Sequence, residues 1–287
     1  MDRRRFLAGV GTGVTVGIAG CSGDGDGVDG GGGDDGDDGN GDGSDRPFSD
    51  ADWRDEDGLD VAVLSQRHVE ALVDAGGVTL FSTAETTYDG DEEPTPWLPS
   101  QEYESAYDLE NGRQYVRQEL TETDETEISE LYVADGEALI RQQTGDETQY
   151  GRQSVDRSAD DLKTGMESEV MTGIRVERET AEGETRYEGL NLWNPTSDGE
   201  GEVRGEPTAR FTADSFEGDR NVPETVETAS ATVHVYESGV VPRLRQSWAG
   251  EHDGQQATVD VDIDYRDPGA TVPEPDWVEE AREDSSA

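Results

Sequence analysis

Three histidines, one cysteine and 69 acidic side chains are the groups from which chemistry would have to be built. Cys21 stands alone, so neither a disulfide nor a paired-thiol site can form within the chain. His68, His234 and His252 are far apart and share no spacing. His68 falls on the apolar stripe of a predicted helix and reads as a packing residue. His234 alternates with Val233 and Val235, so in a strand it faces away from them. His252 precedes Asp253 in a predicted hairpin turn, where a solvated imidazole is the ordinary state. Carboxylates are so abundant that no single pair carries information about acid–base catalysis. The sequence lacks the G-x-S-x-G elbow, the phosphate-binding glycine loop ending in Lys-Ser or Lys-Thr, and H-E-x-x-H. Asp38, Asn40, Asp42 and Gly43 copy the first half of a calcium loop, but its twelfth position is Ser49 where a bidentate Glu is due. Repetitive Gly/Asp sequence generates such partial matches. Asn194-Pro195-Thr196 fails as a glycosylation acceptor because proline occupies its centre. Catalytic residues, a metal site and a cofactor are all expected to be absent, and the protein is read as a non-enzyme.

The informative stretch is the amino terminus. Arg3-Arg4-Arg5 opens a Gly- and Val-rich apolar run from Phe6 to Gly20, which closes on Ile18-Ala19-Gly20-Cys21. About fifteen residues are too few to cross a bilayer as a helix, which needs roughly twenty. A basic start, a short apolar middle and small residues at the end read as an export signal covering residues 1–20. Arg3, Arg4, Phe6 and Leu7 resemble the core of a twin-arginine export signal. Asp2 and Ala8 depart from that pattern, in which Ser or Thr and Lys are usual. Ile18, Ala19, Gly20 and Cys21 resemble a lipobox. The resemblance implies export in the folded state, cleavage before Cys21 and a lipid thioether on its sulfur. That places the mature chain at the cell membrane, lipid-anchored on the extracellular face.

The 69 Asp and Glu against 22 Lys and Arg give a formal net charge of −47 and a pI near 4.1, and Lys163 is the sole lysine. Such a surface repels itself at low salt, whereas at molar salt the Debye length shrinks to about 3 Å. Acidic, lysine-poor and exported by this route, the chain resembles a haloarchaeal protein. The same charge argues against nucleic acid as a partner, because binding there depends on cations that displace condensed counterions. The protein is read as a monomer.

From Ser22 to Asp57 the chain is mostly Gly and Asp and cannot bury enough surface to offset its conformational entropy. Residues 21–57 are therefore expected to be a lipidated cysteine followed by a disordered tether, and residues 58–287 a single domain. Leu64, His68, Ala71, Leu72 and Ala75 fall at helical spacing and predict a first helix ending at Gly76-Gly77. The period then changes to two. Segments beginning at Val78, Tyr103, Gln114, Glu127 and Glu137 read as strands, with hairpin turns at Asn111-Gly112 and Asp135-Gly136. Val155, Ala159, Leu162, Met166 and Val170 predict one or two mid-chain helices despite Gly165. A second strand block runs from Gly173 to Tyr265, with the stretch from Pro195 to Gly205 read as a loop. Val259, Val261, Ile263 and Tyr265 alternate with three aspartates, the pattern of an antiparallel strand wet on one face. Trp193, Trp248 and Trp277 are expected to pack in the core.

The order of these parts, ending in Pro273-Glu274-Pro275-Asp276-Trp277, is similar to that of haloarchaeal lipoproteins of unassigned role. More remotely it resembles the LolA/LppX/LprG lipoprotein carriers over Leu59 to Ala281. The fold expected is α+β: a strongly curved antiparallel sheet, a half-barrel, with a leading helix and one or two mid-chain helices packed on its concave face. What the resemblance implies is a surface that holds a lipid or other apolar ligand, with the helices lining the mouth. Its ligand-binding residues are not specified. The competing readings are an envelope protein with a filled core that acts through its surface, and a hydrolase with dispersed carboxylates.

Overall fold

The computed structural model describes residues 48–284 except 57, 90–99, 123–124, 180–184, 219–224 and 253. The export motif, the lipobox with Cys21 and the partial calcium loop through Gly43 lie outside the described residues.

Helix α1 (Val61–Asp74) begins where the Asp60 carboxylate accepts a hydrogen bond from the Val63 N–H at 3.0 Å. It ends before Gly76, whose φ of +86° suits only glycine. Val61, Leu64, His68 and Leu72 form its buried stripe. Beyond it, β1 (Gly77–Asp89), β2 (Ser100–Asp108), β3 (Arg113–Glu122), β4 (Glu125–Ala134), β5 (Glu137–Thr144) and β6 (Glu147–Ser154) form an antiparallel meander that walks outward. Asp135 and Gly136, both at positive φ, make the tight turn between β4 and β5.

Helix α2 (Ala159–Val170) starts with a reciprocal capping box between Ser158 and Asp161. With the hairpin of β7 (Arg175–Glu179) and β8 (Thr185–Gly189), and a 3-10 turn at Leu190–Leu192, it carries the chain to the other edge of the sheet. Strands β9 (Thr196–Val203), β10 (Glu206–Ala213), β11 (Thr225–Val235), β12 (Arg243–His252) and β13 (Gln255–Arg266) then walk back inward. β13 pairs with β1 from Thr79↔Arg266 to Asp89↔Gln256. The sheet thus has eleven strands in the order β6-β5-β4-β3-β2-β1-β13-β12-β11-β10-β9, and it is curved and open. A short helix α3 (Val278–Asp284) closes the described chain.

Register sorts the side chains into two faces. On the inner face, Leu80, Tyr107, Phe211, Val233, Leu244 and Ile263 pack with Leu64 and Leu72 of α1 and Leu162, Met166 and Val170 of α2. Farther along the same face of β11 to β13, Trp193, Ala231, Trp248 and Val259 form a second cluster, with the two indoles 5.1 Å apart. On the outer face, Trp277, Val278 and Ala281 cover Ala106, Tyr132, Ala134 and Leu139. The three tryptophans are buried, as their sequence context indicates.

Three boundaries differ from the sequence reading. The tether does not extend to Asp57, because Trp53 is 1 % exposed and packs in the main core with Phe48 and Ala51 beside it. Averaging over a Gly/Asp-rich window conceals the few apolar residues that dock. The stretch from Pro195 to Gly205 contains strand β9, whose Gly-rich, acidic sequence suits an exposed sheet edge that presents little to bury. The opposite edge, β6, lacked an apolar alternation for the same reason. The mid-chain periodicity forms a single helix, α2, in keeping with the one or two expected.

Candidate functional site

The helices do not cover the whole inner face. Over β3 to β6 a groove of about 330 Å³ remains, near the lower bound of the roughly 300–1,000 Å³ common for small-molecule sites. Cross-strand register builds its floor. Val116 lies opposite Leu131 and Leu131 opposite Ile140, and beside them Val133 pairs with Ala138 and Ala138 with Gln153. Two residues farther along, Gln118, Ser129 and Gln142 form a polar row, and beyond it lie Leu120 and Glu127. Val155 and Arg157, in the segment leading into α2, complete the lining together with Glu130, whose carboxylate is taken up on the outer face by Tyr115, Arg141 and Trp277. Of the two helical regions expected at a mouth, only this lead-in borders the groove; α1 lies over the filled core.

A chain of hydrogen bonds adjoins the groove. Arg157 Nη1 donates to Gln114 Oε1, and Gln114 Nε2 donates to the Tyr107 hydroxyl at 2.8 Å. Tyr107 donates to Glu169 Oε2, while Tyr103, at 2.9 Å, and Ser105 donate to Oε1 of the same carboxylate. Burial, together with the charge of Glu169, pushes the Tyr103 and Tyr107 hydroxyls far above the ordinary phenol range, so both remain donors. Gly165, in the middle of α2, faces this chain: a Cβ there would stand 2.8 Å from Arg157 Nη2. Glycine in a helix interior costs about 1 kcal/mol relative to alanine, and here its lack of a side chain leaves space for the guanidinium.

The histidines do not converge. His68 is fully buried, its Nδ1 accepts the Val241 N–H at 3.1 Å, and its ring meets Tyr265 edge-on at 4.6 Å. Desolvation holds it down to about 3, against a weaker opposing effect of the Val170 carbonyl. His234 faces away from Val233 and Val235 and contacts Thr208 Oγ1 at 2.9 Å on the opposite side of the sheet. Among the described residues no group of three or more His, Cys, Asp or Glu is arranged to hold a metal ion. The same residues include no helix long and apolar enough to cross a membrane.

The aspartates of β13 are not a bare acidic face. Register places a row across the outer face, His234, Arg243, Asp264, Phe81, Glu104, Arg117, Glu130 and Arg141, on successive strands from β11 to β5. Arg141 contacts Glu130 at 2.7 Å, and Asp264 contacts Arg204 and, at 2.7 Å, Arg266. Arg243 and Arg245 both engage Asp262. Alternating sign along a ladder is favourable by about 0.2–1 kcal/mol per directly opposed pair. Sequence reasoning missed both this row and the Glu169 cluster, since each requires partners whose pairing only the register supplies.

Among curated proteins none matches the sequence. Among solved structures, the ywiB protein from Bacillus subtilis is 10 % identical over 67 % of this chain and 93 % of its own, with a TM-score of 0.15. MucB in complex with MucA(peri) is 12 % identical over 74 % of this chain and all of its own, with a TM-score of 0.16. The MucA/MucB complex of Pseudomonas aeruginosa gives 14 %, 74 %, 100 % and 0.11. Superposition scores this low carry no inference about this chain. Residues 7–281 match a family defined by sequence, and the chain belongs to that family of unknown function, DUF7537.

Proposed function

We propose that the protein is an exported lipoprotein, anchored through Cys21 to the outer face of the cell membrane, which binds an apolar or amphipathic small molecule in the groove over β3 to β6 and performs no catalysis. One observation carries this reading: a four-stranded stretch of the inner face presents Val116, Leu131, Val133 and Ile140 to a groove that neither α1 nor α2 fills. Val116, Val133 and Ile140 are buried and Leu131 half-buried, so the groove is an apolar recess in the sheet, the kind of concavity that small-molecule sites use. The leader sequence supports the location, and the Gly/Asp-rich composition after Cys21 is of the kind that supplies reach from an anchor. An envelope protein acting through surface contacts is the second reading, favoured by the filled core beneath α1 and α2.

The test is mass spectrometry of organic extracts of the native protein purified at molar salt. A stoichiometric apolar molecule is expected. Its absence, together with no uptake of offered lipids, transfers support to the second reading. Cys21→Ser in the producing cell tests the anchor separately: the protein should leave the membrane fraction for the medium, and retention at the membrane would refute anchoring through that sulfur.

A further inference from the structure

We infer that the groove selects a compact amphipathic anion, a short apolar tail ending in one carboxylate or phosphate, and that Arg157 contacts its head. This rests on the groove being a ligand site, as proposed above, and specifies what that ligand is.

The first observation is the state of Arg157. In a chain with 69 acidic side chains and 22 basic ones, cations are scarce and are generally matched: Arg117, Arg141, Arg152 and Arg243 each hold a carboxylate within 4 Å. Arg157 lines the groove and has no carboxylate within that distance among the described residues. Asp161 is occupied by the Ser158 hydroxyl and N–H in the capping box, which hold its carboxyl down with a smaller contribution from the charge of Arg157. Only Nη1 of the guanidinium is used, toward the neutral amide of Gln114. A planar cation with donors to spare at the end of an apolar floor is the geometry that receives a carboxylate or phosphate.

The second observation is that the fold makes room for this side chain. Gly165 sits in the interior of α2 at a cost in helix propensity, and a methyl group there would press on Nη2. The third is polarity along the groove. Arg157 and Gln153 border the end nearest α2, aliphatic side chains follow, and Glu127 lies at the far end. An anionic head is drawn to one end and repelled from the other, so the ligand has a single orientation. Between the ends, the apolar floor is only two side-chain rows deep before Gln118, Ser129 and Gln142 interrupt it. With a volume of about 330 Å³, that excludes a bulky diacyl tail.

Calorimetric titration of the full mature chain in molar KCl tests the idea with four probes: decanoate, decyl phosphate, decanol and inorganic phosphate. Bulk electrostatics are screened under these conditions, whereas a contact pair persists. Decanoate and decyl phosphate should bind about tenfold or more tighter than decanol, the gain expected of a charge-assisted hydrogen bond, and inorganic phosphate should not compete with them. Arg157→Gln should reduce decanoate to the affinity of decanol and leave decanol unchanged. Gly165→Ala, which keeps both the charge and the helix, should erode the same preference by displacing the guanidinium. Equal binding of decanoate and decanol to the unaltered protein would overturn the headgroup assignment while leaving the groove as an apolar site. Competition by inorganic phosphate would make it a free-anion site and overturn the amphiphile. Failure of all three decyl probes would overturn the groove reading itself.

Discussion

The hydroxyl of Tyr103 on β2 donates to Glu169 Oε1 on α2 at 2.9 Å, across 66 residues of chain. Ser105 and Tyr107, at alternate positions of the same strand, donate to the same carboxylate. Glu169 lies in the last turn of α2, where a negative charge opposes the helix dipole. Its local cost is offset by three hydroxyl donors that fix α2 to the sheet beside the groove. Glu169→Ala leaves those hydroxyls without their acceptor and should lower stability by about 2–4 kcal/mol. The expected readout is a lower urea midpoint at fixed molar salt, with the slope unchanged. A midpoint that does not move would mean that water replaces the carboxylate at no cost, and that α2 is held by its apolar face alone.

The same cluster sets an alkaline limit. Burial, reinforced by Glu169, raises the hydroxyls of Tyr103, Tyr107 and Tyr265 above the ordinary value of 10. Folding therefore retains protons that the unfolded chain releases above pH 10. Their contribution is complete below that pH and declines as pH rises past it, by up to about 1.4 kcal/mol per pH unit for each tyrosine. Stability measured from pH 9 to 11.5 should be level and then fall. Tyr107→Phe should reduce the steepness of that fall, and an unchanged steepness would show that Tyr107 ionises freely in the folded protein.

At the acid end the controlling group is His68. Its folded-state value is held down to about 3 against 6.5 for the free side chain. The unfolded chain takes up a proton below pH 6.5 that the folded one refuses, so stability is fully present above 6.5 and drains away as pH falls toward 3. Between pH 6.5 and 5 most carboxylates remain ionised, and the loss there should approach about 1.4 kcal/mol per pH unit from this one residue. His234, held down by burial and by Arg210, Arg245 and Arg243, adds a further slope. His68→Leu should be less stable at pH 7, because it leaves the Val241 N–H unpaired, yet lose about one proton's worth of pH dependence in that window. Equal slopes in the two proteins would place the linkage elsewhere.

Much of this architecture is legible from local signals. The stop at Gly76, the turns at Asn111-Gly112 and Asp135-Gly136, and the alternation from Val259 to Tyr265 each specify an element through turn chemistry or period. What is not legible depends on pairs distant in sequence. That β1 adjoins β13, and that Tyr103 meets Glu169, follow from a closing step no local pattern encodes. Edge strands β6 and β9 bury little and so leave no apolar stripe to detect. The groove was foreseeable as a consequence of a curved sheet, but its placement over β3 to β6 was not, because that depends on which strands α1 and α2 leave uncovered. Arg157 carries no motif at all; its significance comes from the carboxylate it lacks.

Trp53 illustrates how one buried residue can redraw a domain boundary. It lies between Gly-rich chain and helix α1, yet its ring packs edge-on against Phe48 and Phe211, with centroids 6.5 and 6.1 Å away. Its indole N–H donates to the Glu237 carbonyl at 3.3 Å in the turn between β11 and β12. The segment that looks like tether is thus clamped to the far wing of the sheet. Trp53→Ala should cost about 3–5 kcal/mol, a large share of the roughly 5–15 kcal/mol available to a domain, and Trp53→Phe distinctly less. A protein beginning at Leu59 should lose at least as much as Trp53→Ala, since it also lacks Phe48. Urea midpoints of the three variants at one salt concentration give the comparison. If the truncated chain matches the intact one, the segment around Trp53 rests on the domain without contributing to its folding, and the boundary returns to Leu59.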